Sequence, residues 1–276
     1  MKPFLKTKDF SITGEDFELL LDEELQMLVT QPQPKDLQKY YESDVYISHT
    51  DSSKSVIDKM YQAVKKISLS QKVFLINRYA KQNKTLLDIG AGTGDFLLEA
   101  KKWKWSVKGV EPNQDARIRS REKRMELLAG LDDLPNTKFQ VITLWHVLEH
   151  LPDLDSQIET IKKNLEKDGT LVIAVPNFKS YDAQHYKEFW AAYDVPRHLW
   201  HFSKEAIHKI FAKHGMELVK TKPMWFDAFY VSILSEKYKT GKQNLMKSFL
   251  IGFWSNLKAI FTGQPSSIIY VLKKQQ

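Results

Sequence analysis

The chain has 276 residues, a net charge of +7, 42% hydrophobic and 12% aromatic residues, and no cysteine. That length and apolar content suit one large domain, or a domain with an appendage, rather than a disordered chain. The missing cysteines exclude disulfides, thiolate zinc sites and a cysteine nucleophile, and the positive charge is scattered rather than blocked, which reads as a lysine-rich solvated surface.

Met1-Lys2-Pro3-Phe4 carries no apolar signal core, and no window has the uninterrupted apolar length of a membrane span, so a cytoplasmic protein is expected. Residues 1–40 show no periodicity and read as irregular, closing on the helix breakers Gln31-Pro32-Gln33-Pro34. Over 54–82 the residues Val56, Met60, Val64, Ile67, Val73, Phe74 and Ile76 recur near helical spacing.

Strands and helices then alternate. Thr85–Ile89 reads as a buried strand and Asp95–Trp103 as a helix. Ser106–Val110 is a second strand with a basic helix after it, and Phe139–Leu144 is a third. Ser156–Glu166 is a helix, Thr170–Val175 the most apolar strand, and Lys204–His214 a helix. Met216–Lys220 and Ser267–Leu272 form a closing pair. The pattern predicts an α/β fold: a Rossmann-like, mostly parallel sheet of seven strands with helices on both faces, the last strand antiparallel. We expect an appendage over 1–39 and a main domain over 40–276. Long insertions at about 177–202 and 221–266 are candidate substrate-side lids.

Asp88-Ile89-Gly90-Ala91-Gly92-Thr93-Gly94 joins a strand to a helix. Residues without Cβ let backbone approach a ligand there, and the helix start offers amides. Glu111, about 20 residues on at the end of the next strand, has the position and chemistry to accept both hydroxyls of a ribose. A pyrophosphate loop needs G-x-G-x-x-G, yet the third position here is Asp95, which would repel phosphate. The spacing instead suits a nucleoside without phosphates, such as S-adenosyl-L-methionine.

These residues resemble the motifs of class I S-adenosylmethionine-dependent methyltransferases. Leu86–Gly94 looks like their first motif, Val110-Glu111-Pro112 like the acidic second, and Ile142–Leu151 like the segment after the fourth strand. The subgroup resembles UbiG-like and methyltransferase-23-like enzymes with an N-terminal zinc ribbon. Phe17–Pro34 is similar to the ribbon's end, and Tyr40–His49 to the segment after it. Asp22 and Leu25 stand where relatives have a cysteine pair, so a metal-free remnant is expected. The resemblance implies that Asp88, Gly90 and Gly92 hold the methionine end and Glu111 the ribose, with Ala91, Gly94 and Pro112 as further cofactor contacts. Leu144 and Trp145 would lie against the cofactor near the methyl. Leu131 and Asp132 would serve adenine, because the usual acid falls at Gly130. Tyr41, Tyr46 and His49 would close over the cofactor, with Tyr46 the contact assigned.

For the chemistry, a hydroxyl acceptor needs a base. His146, Glu149 and His150 have the i, i+3, i+4 spacing of one helical face. Three readings stay open: a metal site, His146 as base, or structural contacts. We take His146 as a catalytic candidate and assign no metal. His198 and His201, in the Asp194–Phe202 segment, are further base candidates, set against a loop merely pinned by Arg197 and aromatics. Arg117, Arg121 and Arg124 read as a solvated helix face, so nucleic acid is disfavoured as a partner. The stripe Leu245, Met246, Phe249, Leu250, Phe253, Trp254, Leu257 and Phe261 reads as a helix packed on its own domain, in preference to peripheral membrane contact.

The expected function is methylation of an oxygen on a small-molecule, sugar or lipid-linked acceptor, with S-adenosylhomocysteine as product. The alternatives are an RNA or protein methyltransferase and a non-catalytic S-adenosylmethionine-binding protein. A nicotinamide oxidoreductase is disfavoured by the glycine spacing. Nothing in the sequence sets the oligomeric state.

Overall fold

The computed structural model describes residues 1–40, 56–80 and 83–275. Its strands are β1 (Lys2–Lys8), β2 (Asp16–Asp22), β3 (Met27–Gln31), β4 (Thr85–Ile89), β5 (Ser106–Val110), β6 (Phe139–Trp145), β7 (Leu165–Pro176), β8 (Trp200–His201), β9 (Met216–Pro223) and β10 (Ser267–Lys274). Its helices are α1 (Val56–Asn77), α2 (Asp95–Lys102), α3 (Gln114–Glu122), α4 (Leu154–Asn164), α5 (Tyr181–Tyr186), α6 (Lys204–Lys213), α7 (Asp227–Thr240) and α8 (Leu245–Thr262).

One sheet has the order β1-β2-β3-β8 and the other β5-β4-β6-β7-β10-β9. The larger is a mixed sheet with helices on both sides, the Rossmann-like arrangement expected. It has six strands among the described residues, not seven. Where an edge strand would lie beyond β5, a single parallel bridge joins Val110 to Leu128. Leu128 N donates to Gly109 O at 2.9 Å and Glu111 N donates to Leu128 O at 2.9 Å. One bridge does not extend into a ladder, so the seventh strand is reduced to a point of contact.

Contacts divide the chain into two compact units. The first comprises Met1–Ser43, Leu148–Leu154 and Ala174–Tyr270. Here the residues expected to be irregular form β1 to β3 instead. The helix breakers at 32 and 34 blunt the end of β3, and cross-strand pairing compensates for the weak local pattern. Alternation in β2 turns Phe17 and Leu19 inward, where they pack with Leu28, Tyr40, Phe178, Tyr186, Trp190 and Tyr193. Asp22 Oδ1 accepts from Leu25 N at 2.8 Å, so a side-chain cap closes the turn between β2 and β3.

A buried ion cluster ties this unit together. Arg197 donates through Nη2 to Asp9 Oδ1 at 2.8 Å and to Asp194 Oδ1 at 2.7 Å, through Nε to Asp194 Oδ2 at 3.0 Å, and through Nη1 to Tyr40 O at 3.0 Å. Asp9 also takes the amides of Ser11, Ile12 and Thr13, which closes the β1–β2 turn. Burial alone would raise the Asp9 carboxyl, but Arg197 and Thr13 outweigh it and hold its pKa below the usual range.

The stripe along α8 does not pack inward. Its buried residues are Ser248, Gly252, Ser255 and Ala259, while Met246, Phe249, Leu250, Phe253 and Phe261 are exposed. The small residues face inward because they allow the closer helix approach: a Cβ on Gly252 would lie 2.9 Å from Phe229 Cδ1.

The second unit comprises Asp44–Val147, Asp155–Ile173 and Val271–Gln276. Parallel pairing sets Asp88 against Gly109 on one side and Thr143 on the other. Leu86, Leu87, Val141, Ile142 and Leu144 are fully buried, the continuous apolar run of a strand covered on both faces.

Replacing Arg197 with Met leaves the buried carboxylate of Asp9 and the partly buried one of Asp194 without their cation. Urea denaturation is expected to show a loss of about 3–5 kcal/mol. A loss under about 1 kcal/mol would show that the cluster does not hold this unit.

Candidate functional site

The glycine loop opens at the C-terminal end of β4, where α/β sheets bind ligands. Four of its amides, those of Gly90, Ala91, Gly92 and Gly94, are already engaged. Gly90 N and Ala91 N both donate to Val110 O, at 2.8 and 3.0 Å, and Gly94 N donates to Ala91 O at 2.9 Å. Gly92 N donates to Glu111 Oε2 at 2.8 Å, and Asn113 N to Glu111 Oε1 at 2.9 Å. The loop therefore presents a wall of mostly bare backbone, with side chains only at Ala91 and Thr93, rather than the row of free donors that the sequence suggests. Gly90 has φ +71°, and a Cβ there would fall 2.3 Å from Val147 Cγ2, whereas a Cβ on Gly92 would meet nothing within 4 Å. Gly94 caps α2 without a side-chain hydrogen bond.

Glu111 is buried and accepts one amide on each oxygen, which leaves each oxygen a further lone pair. Asp95, the residue that argued against pyrophosphate, is paired with Lys65 and Lys123, both at 2.7 Å. Burial opposes its charge, but the two lysines keep its pKa lowered.

Asp88 is buried beneath the loop and accepts from Thr143 Oγ1 at 2.6 Å. Burial pushes its pKa up to about 7; Glu111 adds to the rise, and Thr143 and Lys72 oppose it. Thr143 was not singled out from the sequence. The available signal was a hydroxyl in an otherwise apolar strand at the position paired with Asp88.

Ile89 pairs with Leu144, so Trp145 and His146 leave β6 level with Gly90 and Ala91. Trp145 packs edge-on against Phe96 at 5.5 Å, and Lys72 Nζ lies 4.5 Å from the Trp145 ring centroid. His146 has φ +59° and is partly exposed. Leu131 and Asp132 lie in the short turn Leu131–Asp133, where Asp133, not Asp132, ties back to Gly130 N at 3.0 Å. Pro112 is exposed and its carbonyl accepts from Arg117 Nη1 at 2.7 Å. Tyr41, Tyr46 and His49 lie outside the described residues.

The helical face proposed for His146, Glu149 and His150 does not form. A left-handed backbone at His146 interrupts it, and only Leu148–His150 makes a turn. Within the first unit, Glu149 and His150 instead meet His198, with one ligand-type atom from each within 4.8 Å of the others. His150 Nδ1 contacts Arg197 O at 3.0 Å and His198 Nδ1 contacts Ala192 O at 2.9 Å. Carbonyls only accept, so both rings carry their proton on Nδ1, leaving Nε2 as the lone-pair atom of the neutral ring. Burial, reinforced by His198, pushes the His150 pKa down to about 4.

His201 is also buried, and its pKa lies well below the usual value, by desolvation first and then His198. Thr30 Oγ1 gives its one proton to His198 O at 2.6 Å, so the 3.0 Å contact with His201 Nε2 is a bond donated by the imidazole. The basic stripe dissolves as well: α3 ends at Glu122, Arg124 follows with φ +59°, and Arg117 also donates to Glu111 O at 2.6 Å.

A family model described as "Methyltransferase domain" matches residues 55–221, more than half of the chain. The chain is similar to a "Ubiquinone biosynthesis O-methyltransferase" of Hydrogenovibrio crunogenus, 27% identical over 133 residues that cover 44% of this chain and 55% of that protein. It thus spans about half the length of the curated relative it matches. Among solved structures, an S-adenosylmethionine-dependent methyltransferase from Archaeoglobus fulgidus shares 19% identity at a TM-score of 0.52, over 76% of this chain and 94% of that one. Magnesium protoporphyrin IX methyltransferase from Synechocystis PCC 6803 with bound S-adenosylhomocysteine shares 12% at 0.54, over 83% and 91%. The cyclopropane synthase MmaA2 from Mycobacterium tuberculosis shares 16% at 0.51, over 74% and 83%. These structures show the common fold, and the family match over 55–221 shows that the chain belongs to the methyltransferase domain family.

Proposed function

We propose that this protein is an S-adenosyl-L-methionine-dependent methyltransferase acting on an oxygen of a small-molecule, sugar or lipid-linked acceptor, with S-adenosyl-L-homocysteine as product. The observation that carries the reading is the glycine wall clamped by Glu111, with buried Asp88 behind it. The fit is chemical. The open space at Gly92 admits a ligand, the remaining lone pairs of Glu111 suit a vicinal diol, and a carboxyl held near neutrality by burial gains its charge when an ammonium arrives.

When bound, the cofactor supplies an activated methyl on a sulfonium. In this reading Asp88, Gly90, Ala91, Gly92 and Gly94 receive the methionine end, Glu111 and Pro112 the ribose, and Leu131 and Asp132 the adenine side. Leu144 and Trp145 form the wall near the methyl. Holding the acceptor oxygen in line with that carbon accounts for most of the rate. His146, at the level of the loop and partly exposed, takes the acceptor's proton. His198 and His201 are the lesser candidates, because both are buried and their described hydrogen bonds are structural. Oxygen as the methylated atom draws support from the relative's description as an O-methyltransferase. An RNA acceptor has less support, since Arg117 is spent on backbone carbonyls.

With labelled cofactor and a panel of phenols, sugars and lipid-linked phenols, label is expected in a base-stable ether. His146→Ala should lower kcat about 10²–10⁴-fold with cofactor affinity kept. Label appearing in RNA or protein, or a loss below about tenfold, would contradict the assignment.

Asp88 gives a second test through linkage. Its folded pKa is raised from 3.8 to about 7. Its contribution to stability is therefore full below pH 3.8 and is lost as pH rises through about 7. An ammonium at this carboxyl lowers that pKa, so binding at pH 7 should release about half a proton. Calorimetry with S-adenosylhomocysteine in buffers of different ionisation heat measures it. Asp88→Asn should show none, and equal release from both would remove the ammonium from this site.

A specific geometry favours a second role for the first unit. Glu149, His150 and His198 fit a divalent cation, with two imidazole nitrogens left as lone-pair atoms by their Nδ1–H bonds and one carboxylate. Such an ion would supply Lewis acidity to a ligand bound at this unit. Manganese or zinc is expected to raise the Tm of the wild type and not of His198→Gln; no shift in either would exclude the ion.

A further inference from the structure

We propose that the outward face of α8 seats this protein on an anionic lipid surface. The helix is inverted relative to one that packs its apolar stripe into a core. Ser248, Gly252, Ser255 and Ala259 recur about once per turn and are buried. They bring α8 close to α7, with Gly252 tight against Ala228 and Phe229, and Ser255 Oγ bonds Asp182 Oδ1 at 2.6 Å. Met246, Phe249, Leu250, Phe253, Ile260 and Phe261 repeat at helical spacing on the other side. All are exposed, Met246 by 78% and Phe261 by 82%. Scattered apolar side chains on a surface need no explanation, but a continuous face along an 18-residue helix does.

Charge selects the occupant. From Lys237 to the last residue the sequence contains no Asp or Glu. Lys237, Lys239 and Lys242 are exposed at the α7–α8 turn, beside Leu245 and Met246. Lys247 and Lys258 on α8 turn back onto their own unit, Lys258 with its Nζ 4.5 Å from the Tyr181 ring centroid, so the charge offered to headgroups is that of Lys237, Lys239 and Lys242. The nearest acid in sequence, Glu236, is buried and bound to Lys247 at 2.8 Å. A large apolar face with exposed lysines at one end is the pattern of a helix lying in a membrane interface. A second copy of the chain would set like charges against each other. None of the described helices is long and apolar enough to cross a membrane, so the contact is lateral, along α8.

Flotation of the full chain with vesicles of phosphatidylcholine, alone or with about 30% phosphatidylglycerol, tests this, with affinity expected to be at least about tenfold higher on the anionic vesicles and reduced by salt. Phe249→Asp/Phe253→Asp, checked by circular dichroism, should stay folded and lose binding. Lys237→Glu/Lys239→Glu/Lys242→Glu should lose the preference for anionic lipid. Failure of the wild type to float with anionic vesicles overturns the proposal. So does a wild-type dimer in light scattering that ignores lipid and becomes monomeric in Phe253→Asp, which would assign the face to a second copy.

Discussion

The carboxylate of Glu111 is the constraint on which the candidate cofactor site depends. It accepts from Gly92 N on one oxygen and from Asn113 N on the other, and so joins the glycine loop to the start of α3. Val110 O takes two more loop amides from the same strand end. With these bonds made, the bend at Gly90 stays close against Val147, and no loop donor among Gly90, Ala91, Gly92 and Gly94 is left to a ligand. Recognition then rests on shape at the loop and on the two carboxylates behind it. A rigid wall of this kind loses little freedom on binding, which favours affinity without additional contacts.

The first unit uses charge differently. Arg197 is wholly buried and satisfies two carboxylates and a carbonyl. Its position also fixes the neighbouring histidine, because Arg197 O takes the Nδ1 proton of His150. An arginine cluster that holds β1 to β3 thereby also sets the tautomer of a ligand-type residue. Asp182 plays a comparable part for α8, accepting from Trp190, Ser255 and Ser266. The inverted packing of α8 follows from these buried polar bonds, which need small side chains around them.

Much of this was legible in the sequence, and the rest was not for physical reasons. The β4–loop–α2–β5 segment is local: strand, glycines, helix and acid follow within about 30 residues, so its order alone declares it. The strands β1 to β3 were hidden because their stability comes from pairing and from partners such as Trp190 and Tyr193, far along the chain. The meeting of His198 with Glu149 and His150 is likewise a long-range event that spacing cannot reveal. His146 misled because a helical spacing was read across a residue whose left-handed φ breaks the helix. On α8 the periodicity was correct and its direction was not, since hydrophobic period alone does not tell which face is covered.

The most direct test of the central claim is titration calorimetry of S-adenosylhomocysteine against the wild type and Glu111→Ala, with NADH as the competing ligand. The account predicts micromolar or tighter binding to the wild type, a loss of about 100-fold or more in the variant, and weaker binding of NADH throughout. Equal affinity of the two proteins for S-adenosylhomocysteine, or a preference for NADH, would contradict it.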